Sequence, residues 1–217
     1  MRVPSNFNVK NKYLHVKTIL KITFSVIILF TGITAYAEDK NTTFGVKLGG
    51  NLSTIEGRDV DFSIVKPKLG FQLGGTVDIA FTNSLYVLSG LEITQKGYKL
   101  YDNDTTTYRA MYLQLPIHIG YKLRFDVIDI VFRGGPYLAY GFAGKSRSDN
   151  PSRDRVKFFG QNGAKKVDFG LGVALGTEFG KGKYGVYLGY DWGFIRLYER
   201  DEDIYNGNAY LTIGYKF

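Results

Sequence analysis

The stretch that decides the fold reads Tyr112-Leu113-Gln114-Leu115-Pro116-Ile117-His118-Ile119-Gly120-Tyr121-Lys122. Every second side chain from Leu113 onward is large and apolar or aromatic, whereas the positions between them carry mostly polar residues or glycine. Alternation with a period of two is typical of a β-strand that has one apolar and one polar face. The sequence therefore predicts a strand here whose two faces meet different environments.

The same alternation recurs along nearly the whole chain beyond residue 43, and no segment there shows a helical period. The 27 Gly, 17 Tyr and 16 Phe of the 217 residues also favour twisted strands and tight turns. The pattern predicts about eight strands, an even number as in single-chain bacterial barrels. They are expected at 44–53, 69–81, 85–97, 110–123, 127–142, 167–179, 184–196 and 208–217.

A soluble β-sandwich would alternate as well, so the direction of the apolar face has to be inferred. Eight strands enclose a narrow interior, which argues that the bulky apolar set faces outward toward lipid. The expected connections alternate between short turns at 82–84, 124–126 and 180–183 and longer loops at 54–68, 98–109, 143–166 and 197–207. Outward aromatic residues gather near both strand ends, as in the girdles of membrane barrels. The fold class predicted is all-β, a transmembrane antiparallel up-and-down β-barrel.

The N-terminal segment predicts export. Five basic residues and no acidic ones precede an apolar run from Ile22 to Ile33, and Ala35-Tyr36-Ala37 follows. This is the pattern of a cleaved secretory signal peptide at residues 1–37, which leaves 38–217 as one barrel domain. Because the segment accounts for five units of the formal net charge of +8, the basic balance gives no reason to expect nucleic acid as a partner.

Several short motifs resemble those of the small "porin family" outer-membrane β-barrel domain proteins, relatives in shape of the OmpA and OmpX barrels. The motifs are Phe44-Gly45-Val46-Lys47-Leu48-Gly49-Gly50-Asn51-Leu52-Ser53, Gln95-Lys96-Gly97-Tyr98, Tyr112-Leu113-Gln114-Leu115-Pro116, Gly134-Gly135-Pro136-Tyr137, Asp168-Phe169-Gly170 and Gly214-Tyr215-Lys216-Phe217. Family members often carry Glu where this chain has Gln114 and Arg where it has Gly189. The resemblance implies a monomeric barrel in the cell outer membrane, surrounded by outer-membrane lipid and lipopolysaccharide.

The chain ending is similar to the signal by which such barrels are recognised for assembly. Phe217 is terminal, and Tyr215, Ile213 and Leu211 stand two, four and six positions before it. The resemblance implies the barrel assembly machinery as a partner.

The polar face of the predicted strands places a set of charges in the lumen. Its acidic members are Asp78, Glu92, Asp129, Asp168, Glu178 and Asp191, and its basic members are Lys47, Lys96, Lys122, Arg133 and Lys216. Charges in so narrow a space are expected to pair with one another. Counting from strand ends places Lys47, Lys122 and Lys216 with Asp78, Asp129 and Glu178, and places Arg133 deeper, near Glu92 and Asp191. Arg133 is expected at the centre, because its planar fork can engage two carboxylates.

Candidate chemistry is sparse. His118 is the single histidine beyond the signal and is expected to be a hydrogen-bonded lumenal residue rather than a catalytic base, since no serine shares its face on that strand. No cysteine is present, so neither a disulfide framework nor a sulfur metal site is expected. We predict no catalytic residues, no metal and no cofactor.

The third outer loop is basic, with Lys145, Arg147, Arg153, Arg155 and Lys157. It is expected to be either a mobile, soluble loop or a site for lipopolysaccharide phosphates or another external polyanion.

Three functions remain open on these grounds. The first is a non-enzymatic barrel with a side-chain-plugged lumen and a structural or surface-interaction role. The second is a narrow channel or an accessory barrel of a secretion system. The third is an outer-membrane lipid-modifying enzyme, which the absence of a catalytic set disfavours.

Overall fold

A computed structural model describes residues 41–58, 60–61, 63–101, 104–149, 158–159, 163–198 and 203–217. Eight strands form within them, in the order β1 Thr42–Gly57, β2 Val65–Ala80, β3 Leu85–Tyr101, β4 Thr105–Arg124, β5 Ile128–Ser148, β6 Val167–Phe179, β7 Tyr184–Gly193 and β8 Ile204–Lys216. Each strand pairs antiparallel with the next, and β8 pairs with β1, so the sheet closes into a barrel. The predicted fold class is confirmed.

The two ends of the barrel differ. Both chain ends of the barrel and the short connections 81–84, 125–127 and 180–183 lie at one end, here called the turn end. In the last of these turns Gly180, Lys181 and Gly182 all have positive φ, between 61° and 80°, a conformation that favours glycine. The other end, here called the loop end, carries the remaining connections. Short turns mark the periplasmic side of such barrels and longer loops the outer side.

The predicted strand boundaries are accurate at the turn end, whereas at the loop end β4 and β5 extend well beyond the predicted bounds. There β4 begins at Thr105 and β5 continues to Ser148, so the connection between β3 and β4 shortens to residues 102–104. Lys145 and Arg147, expected in a loop, are therefore strand residues. The prediction stopped early because alternation fades there: these hairpin ends carry threonines and charges rather than lipid-facing apolar residues.

The outer wall is apolar. Leu69 is 70% exposed, and Ile119, Leu188, Leu211 and Phe217 are all more than half exposed. Every outward aromatic residue is exposed or half-buried, and Tyr184 stacks between Phe179 and Tyr215 near the turn end, at centroid distances of 5.6 and 5.4 Å. The outward direction of the apolar parity is thus confirmed. The described residues include no helix with the length and hydropathy that crossing a bilayer requires.

Two prolines interrupt the ladders, as their missing N–H donors predict. The β3–β4 register passes from Ser89 opposite Ile117 to Glu92 opposite Gln114, skipping Pro116. The β4–β5 register likewise skips Pro136. Both gaps keep the register unchanged, so the strands continue with the same faces inward and outward.

Candidate functional site in the barrel interior

Glu178 lies at the centre of the ion-pair network near the turn end. Its carboxylate is fully buried and accepts from Lys122 at 2.9 Å, Arg133 at 3.0 Å and Lys216 at 2.6 Å. The Tyr187 hydroxyl donates to it as well, at 2.7 Å. Lys216 also pairs with Asp78 at 2.6 Å. We call Asp78, Lys122, Arg133, Glu178, Tyr187 and Lys216 the periplasmic cluster.

The prediction that Arg133 engages two carboxylates is wrong. Its Nη2 binds Glu178, but its Nε donates to the Tyr86 hydroxyl at 2.6 Å. The guanidinium also lies 3.9 Å from the centre of the Tyr187 ring. Tyrosines thus occupy the positions where a second carboxylate was expected, and the carboxylate is the shared partner instead.

The predicted depths of Arg133 and Lys47 are also wrong. Arg133 pairs with Glu178 near the turn end, not with Glu92 or Asp191. Lys47 pairs with Glu92 at 2.6 Å, not with the acids of the turn end. The register explains this pairing, because Lys47 lies opposite Gly74 and Gly74 lies opposite Glu92. A Cβ on Gly74 would meet the Glu92 Cγ at 2.8 Å, so the glycine leaves the space that this pair crosses. Counting from strand ends fails because tilted strands are staggered around a barrel.

Toward the loop end, Lys96 pairs with Asp168 at 3.0 Å, and both are fully buried. The Lys96 ammonium lies 4.6 Å above the Tyr137 ring, and Tyr137 in turn donates to Asp168 at 3.2 Å. Asn206 supplies a third donor to the same carboxylate, at 3.1 Å. All three donors bind Oδ2 of this second buried carboxylate, whereas its Oδ1 has no hydrogen-bond partner among the described residues.

Asp191 and Asp129 depart from the predicted pairing. Asp191 is buried at mid-height and accepts from the amides of Gln114 at 3.1 Å and Asn208 at 3.4 Å, with no cation of the described residues within ion-pair distance. Asp129 lies half-buried opposite Glu178 and Arg124 at the turn end, and no ion pair joins it to another described residue. An amide pair can satisfy a buried carboxylate, a solution that a search for cations overlooks.

Sequence reasoning missed the tyrosines that fill the interior. Tyr86, Tyr112, Tyr137, Tyr187 and Tyr210 are all buried there. Each of them lies opposite a glycine on a neighbouring strand: Tyr86 opposite Gly120, Tyr112 opposite Gly141, Tyr137 opposite Gly170, Tyr187 opposite Gly176 and Tyr210 opposite Gly189. A Cβ at Gly120, Gly176 or Gly189 would overlap the facing ring. The glycines on the lumen-facing side of the strands were the signal that could have revealed these buried tyrosines, because each glycine leaves space for a facing ring.

His118 is buried in the interior, as predicted, but its Nε2 has no hydrogen-bond partner among the described residues. A Cβ on Gly172 would lie 3.0 Å from the His118 Nε2 and 2.6 Å from Asp191 Oδ1, so the imidazole lies beside a glycine gap and a carboxylate. Within the described part of the chain, no group of three His, Cys, Asp or Glu side chains is placed to hold a metal.

Aromatic residues occupy the loop end of the interior. Phe158 and Phe159, from the connection between β5 and β6, are buried and stack edge to face at 5.0 Å. Phe159 meets the Tyr112 ring edge to face at 5.7 Å and covers Gly141, where a Cβ would overlap it. Phe158 contacts Tyr108 at 5.9 Å. We call these two phenylalanines with Tyr108 and Tyr112 the mouth cluster.

Backbone hydrogen bonds fix the segments around this cluster. Ala164 donates to Phe158 O at 2.8 Å, and Lys165 donates to Leu197 O at 2.8 Å. The described part of the third loop is therefore anchored over the interior. In the first loop the Ser63 hydroxyl and N–H bind the Asp61 carboxylate, which lowers the pKa of Asp61 below its ordinary value. Arg153, Arg155 and Lys157 lie outside the described residues, as does the predicted signal peptide at residues 1–37.

The family can now be assigned. The family model described as "Outer membrane protein beta-barrel domain" matches residues 36–199, and the chain belongs to that family. Its location is the outer membrane. A search of curated proteins found no match to the sequence.

The solved structures that match this chain share little sequence with it. Ail, the attachment invasion locus protein of Yersinia pestis, in complex with the heparin analogue sucrose octasulfate, is 15% identical, with 82% of this chain and 99% of that chain covered and a TM-score of 0.46. Neisserial surface protein A is 14% identical over 80% and 97%, with a TM-score of 0.45. The outer-membrane enzyme PagL is 9% identical over 78% and 98%, with a TM-score of 0.42.

Proposed function

We propose that this protein is a non-enzymatic, non-conducting outer-membrane barrel whose interior is plugged by its own side chains. It would hold its outer loops at the cell surface in a structural or surface-interaction role. The observation that carries the proposal is the periplasmic cluster, in which one buried carboxylate binds three cations from three other strands. Separating such buried pairs to admit ions would leave uncompensated charges, which is costly.

The rest of the interior supports the same conclusion. The Lys47 and Glu92 pair, the Lys96 and Asp168 pair and the mouth cluster occupy successive positions toward the loop end. A barrel of eight strands is just wide enough for side chains to fill, whereas open porins have about 16 to 18 strands.

The position of His118 supports a non-enzymatic role. The single histidine of the described residues lies inside the barrel wall, where the lipids around the barrel cannot reach it. Expression in a strain of known lipid A composition tests this directly: an unchanged lipid A mass is expected, and a new lipid A species would identify a lipid-modifying enzyme.

Planar-bilayer recording with purified, heat-modifiable barrel tests the plug. We expect no steady conductance above that of protein-free bilayers, and a large porin inserted in the same bilayer shows that the recording works. Steady conductance of the wild-type protein would overturn the proposal in favour of a channel. Comparison of a deletion strain with its parent for adhesion and envelope integrity then tests the surface role.

A further inference from the structure

We propose that the outward side of the loop end binds phosphate groups of lipopolysaccharide in the surrounding leaflet. The site is a basic belt on four neighbouring strands, made of Lys66, Lys99, Arg109, Lys145 and Arg147. The proposal rests on the outer-membrane location of the barrel and is independent of whether the interior conducts.

A β-bulge in β5 turns two of these residues outward. The register between β4 and β5 shifts by one residue next to Phe142. Before the shift Gly141 is buried in the interior, and after it Ser146 is buried, so the inward parity changes from odd to even. Lys145 and Arg147 are consequently exposed on the outer face, whereas an uninterrupted strand would direct them into the lumen.

A second irregularity does the same for β2. Its register with β3 shifts between Pro67 and Gln72. Gln72 is buried below the shift and Val65 is buried above it, so Lys66 is exposed between them and the loop. Both departures from regular strand geometry therefore bring basic side chains to the same surface.

The belt places like charges directly opposite each other. Lys66 is the register partner of Lys99, and Arg109 is the register partner of Lys145. Directly opposite residues on one face have Cβ atoms about 4.5 to 5.5 Å apart, and like charges in that position destabilise a sheet. An anion bound between them removes the repulsion, and phosphate matches lysine and arginine donors through charge-assisted hydrogen bonds.

The position of the belt identifies the source of the phosphate. Just below it, on the same outward face, lie Leu69, Leu138 and Tyr140, each at least half exposed. The basic groups thus border the lipid-facing surface instead of standing at the loop tips. Two acidic residues of this arc, Asp104 and Asp149, stand beyond the belt at the tips.

The opposite arc of the barrel has different chemistry. Its outward residues at a similar position are Glu56, Tyr190 and Trp192, with the Tyr190 hydroxyl bonded to Glu56 and its ring packed 4.6 Å from Trp192. A phosphorylated headgroup is therefore favoured on one side of the barrel only, and a bound lipid should be localised there.

The test compares the wild-type barrel with the variant Arg109→Gln, Lys145→Gln in phosphatidylcholine nanodiscs. The probes are lipid A with both phosphates and the same lipid A after dephosphorylation, with bound molecules counted by native mass spectrometry. The matched control is Lys181→Gln, Lys183→Gln, which removes two exposed lysines from a turn at the other end. We expect the belt variant to bind phosphorylated lipid A about tenfold more weakly than the wild type and the control.

Relief of repulsion gives a second readout that loss of folding would not imitate. In phosphatidylcholine alone, the belt variant should unfold at the same temperature as the wild type or at a higher one; addition of phosphorylated lipid A should stabilise the wild type more. Equal binding by both proteins, or equal binding of dephosphorylated lipid A, would overturn the proposal. Binding of soluble heparin that lipid A cannot displace would also overturn it and assign the belt to an external polyanion.

Discussion

Glu178 carries a single negative charge and lies within 3.0 Å of three cationic side chains. The reverse arrangement, a central arginine between carboxylates, is what residue types alone suggested. A buried carboxylate has four lone-pair sites and can collect donors from several strands, provided that each cation has a further neighbour. Lys216 has Asp78, and Arg133 has two tyrosines.

Glu178→Gln should destabilise the barrel by about 3 to 5 kcal/mol, because three buried cations lose their common partner. Urea unfolding in vesicles, followed by fluorescence of the single tryptophan, Trp192, measures the change. Asp129→Asn is the control, with an expected change of about 0.5 kcal/mol or less. A larger loss of unfolding free energy for Arg133→Ala than for Glu178→Gln would show that Arg133, and not Glu178, is the central residue of the network.

At a glycine that faces a buried tyrosine ring, adding a single methyl group should lower the stability of the barrel, whereas at a glycine with open space it should not. Gly120→Ala places a Cβ where the Tyr86 ring lies, so overpacking should cost about 1 to 3 kcal/mol. Gly134→Ala is the matched control on the neighbouring strand, because the nearest atoms to its Cβ are 3.6 Å away. The same unfolding assay applies, and equal tolerance of both substitutions would show that the Tyr86 ring moves freely.

At the scale of the strands, alternation decides which side chains meet lipid. Val173 is 46% exposed on the outer face of β6, and Ala174 beside it faces inward. A charge on the lipid face near the bilayer midplane costs about 2 to 4 kcal/mol. Val173→Arg should therefore impair folding into liposomes far more than Ala174→Ser, as measured by the heat-modifiable fraction; similar yields would contradict the assigned parity.

The last strand predicts an effect on assembly. Leu211, Ile213, Tyr215 and Phe217 are exposed on the outer face, and the Phe217 N–H donates to Phe44 O at 3.0 Å. Deleting Phe217 should leave export and signal cleavage intact but reduce folded barrel in the outer membrane. Quantifying the heat-modifiable band in membrane fractions tests this, and unchanged assembly would show that the terminal residue is dispensable.

At the scale of the whole molecule, clusters of side chains occupy the interior at several separate positions along the axis. The periplasmic cluster and the mouth cluster lie near opposite ends and share no residue. Removing one should leave the others in place. The double variant Phe158→Ala, Phe159→Ala is therefore expected to show no steady conductance in planar bilayers. A steady conductance of this variant would show that the mouth cluster is the main barrier to ions.

Three features could be predicted because each follows from neighbours along one strand. They are the number of strands, the outward direction of the apolar face and the set of charges that face the lumen. A period of two assigns every second residue to one face, whatever the rest of the chain does. The turns could be placed as well, since Gly180 and Gly182 require the positive φ that such a connection needs.

The pairing of the charges was decided only by the tertiary structure. Lys47 reaches Glu92 because two strand registers and the gap at Gly74 bring them together, and none of these is a property of one strand. The same holds for the basic belt, since a one-residue shift beside Phe142 reverses the faces of everything after it. In the regular parts of the strands, the sequence alone indicates which residues face lipid and which face the lumen, because the steric alternation along one chain suffices. Which lumenal side chains contact each other depends on strand stagger, bulges and ring closure. Only the complete barrel defines these.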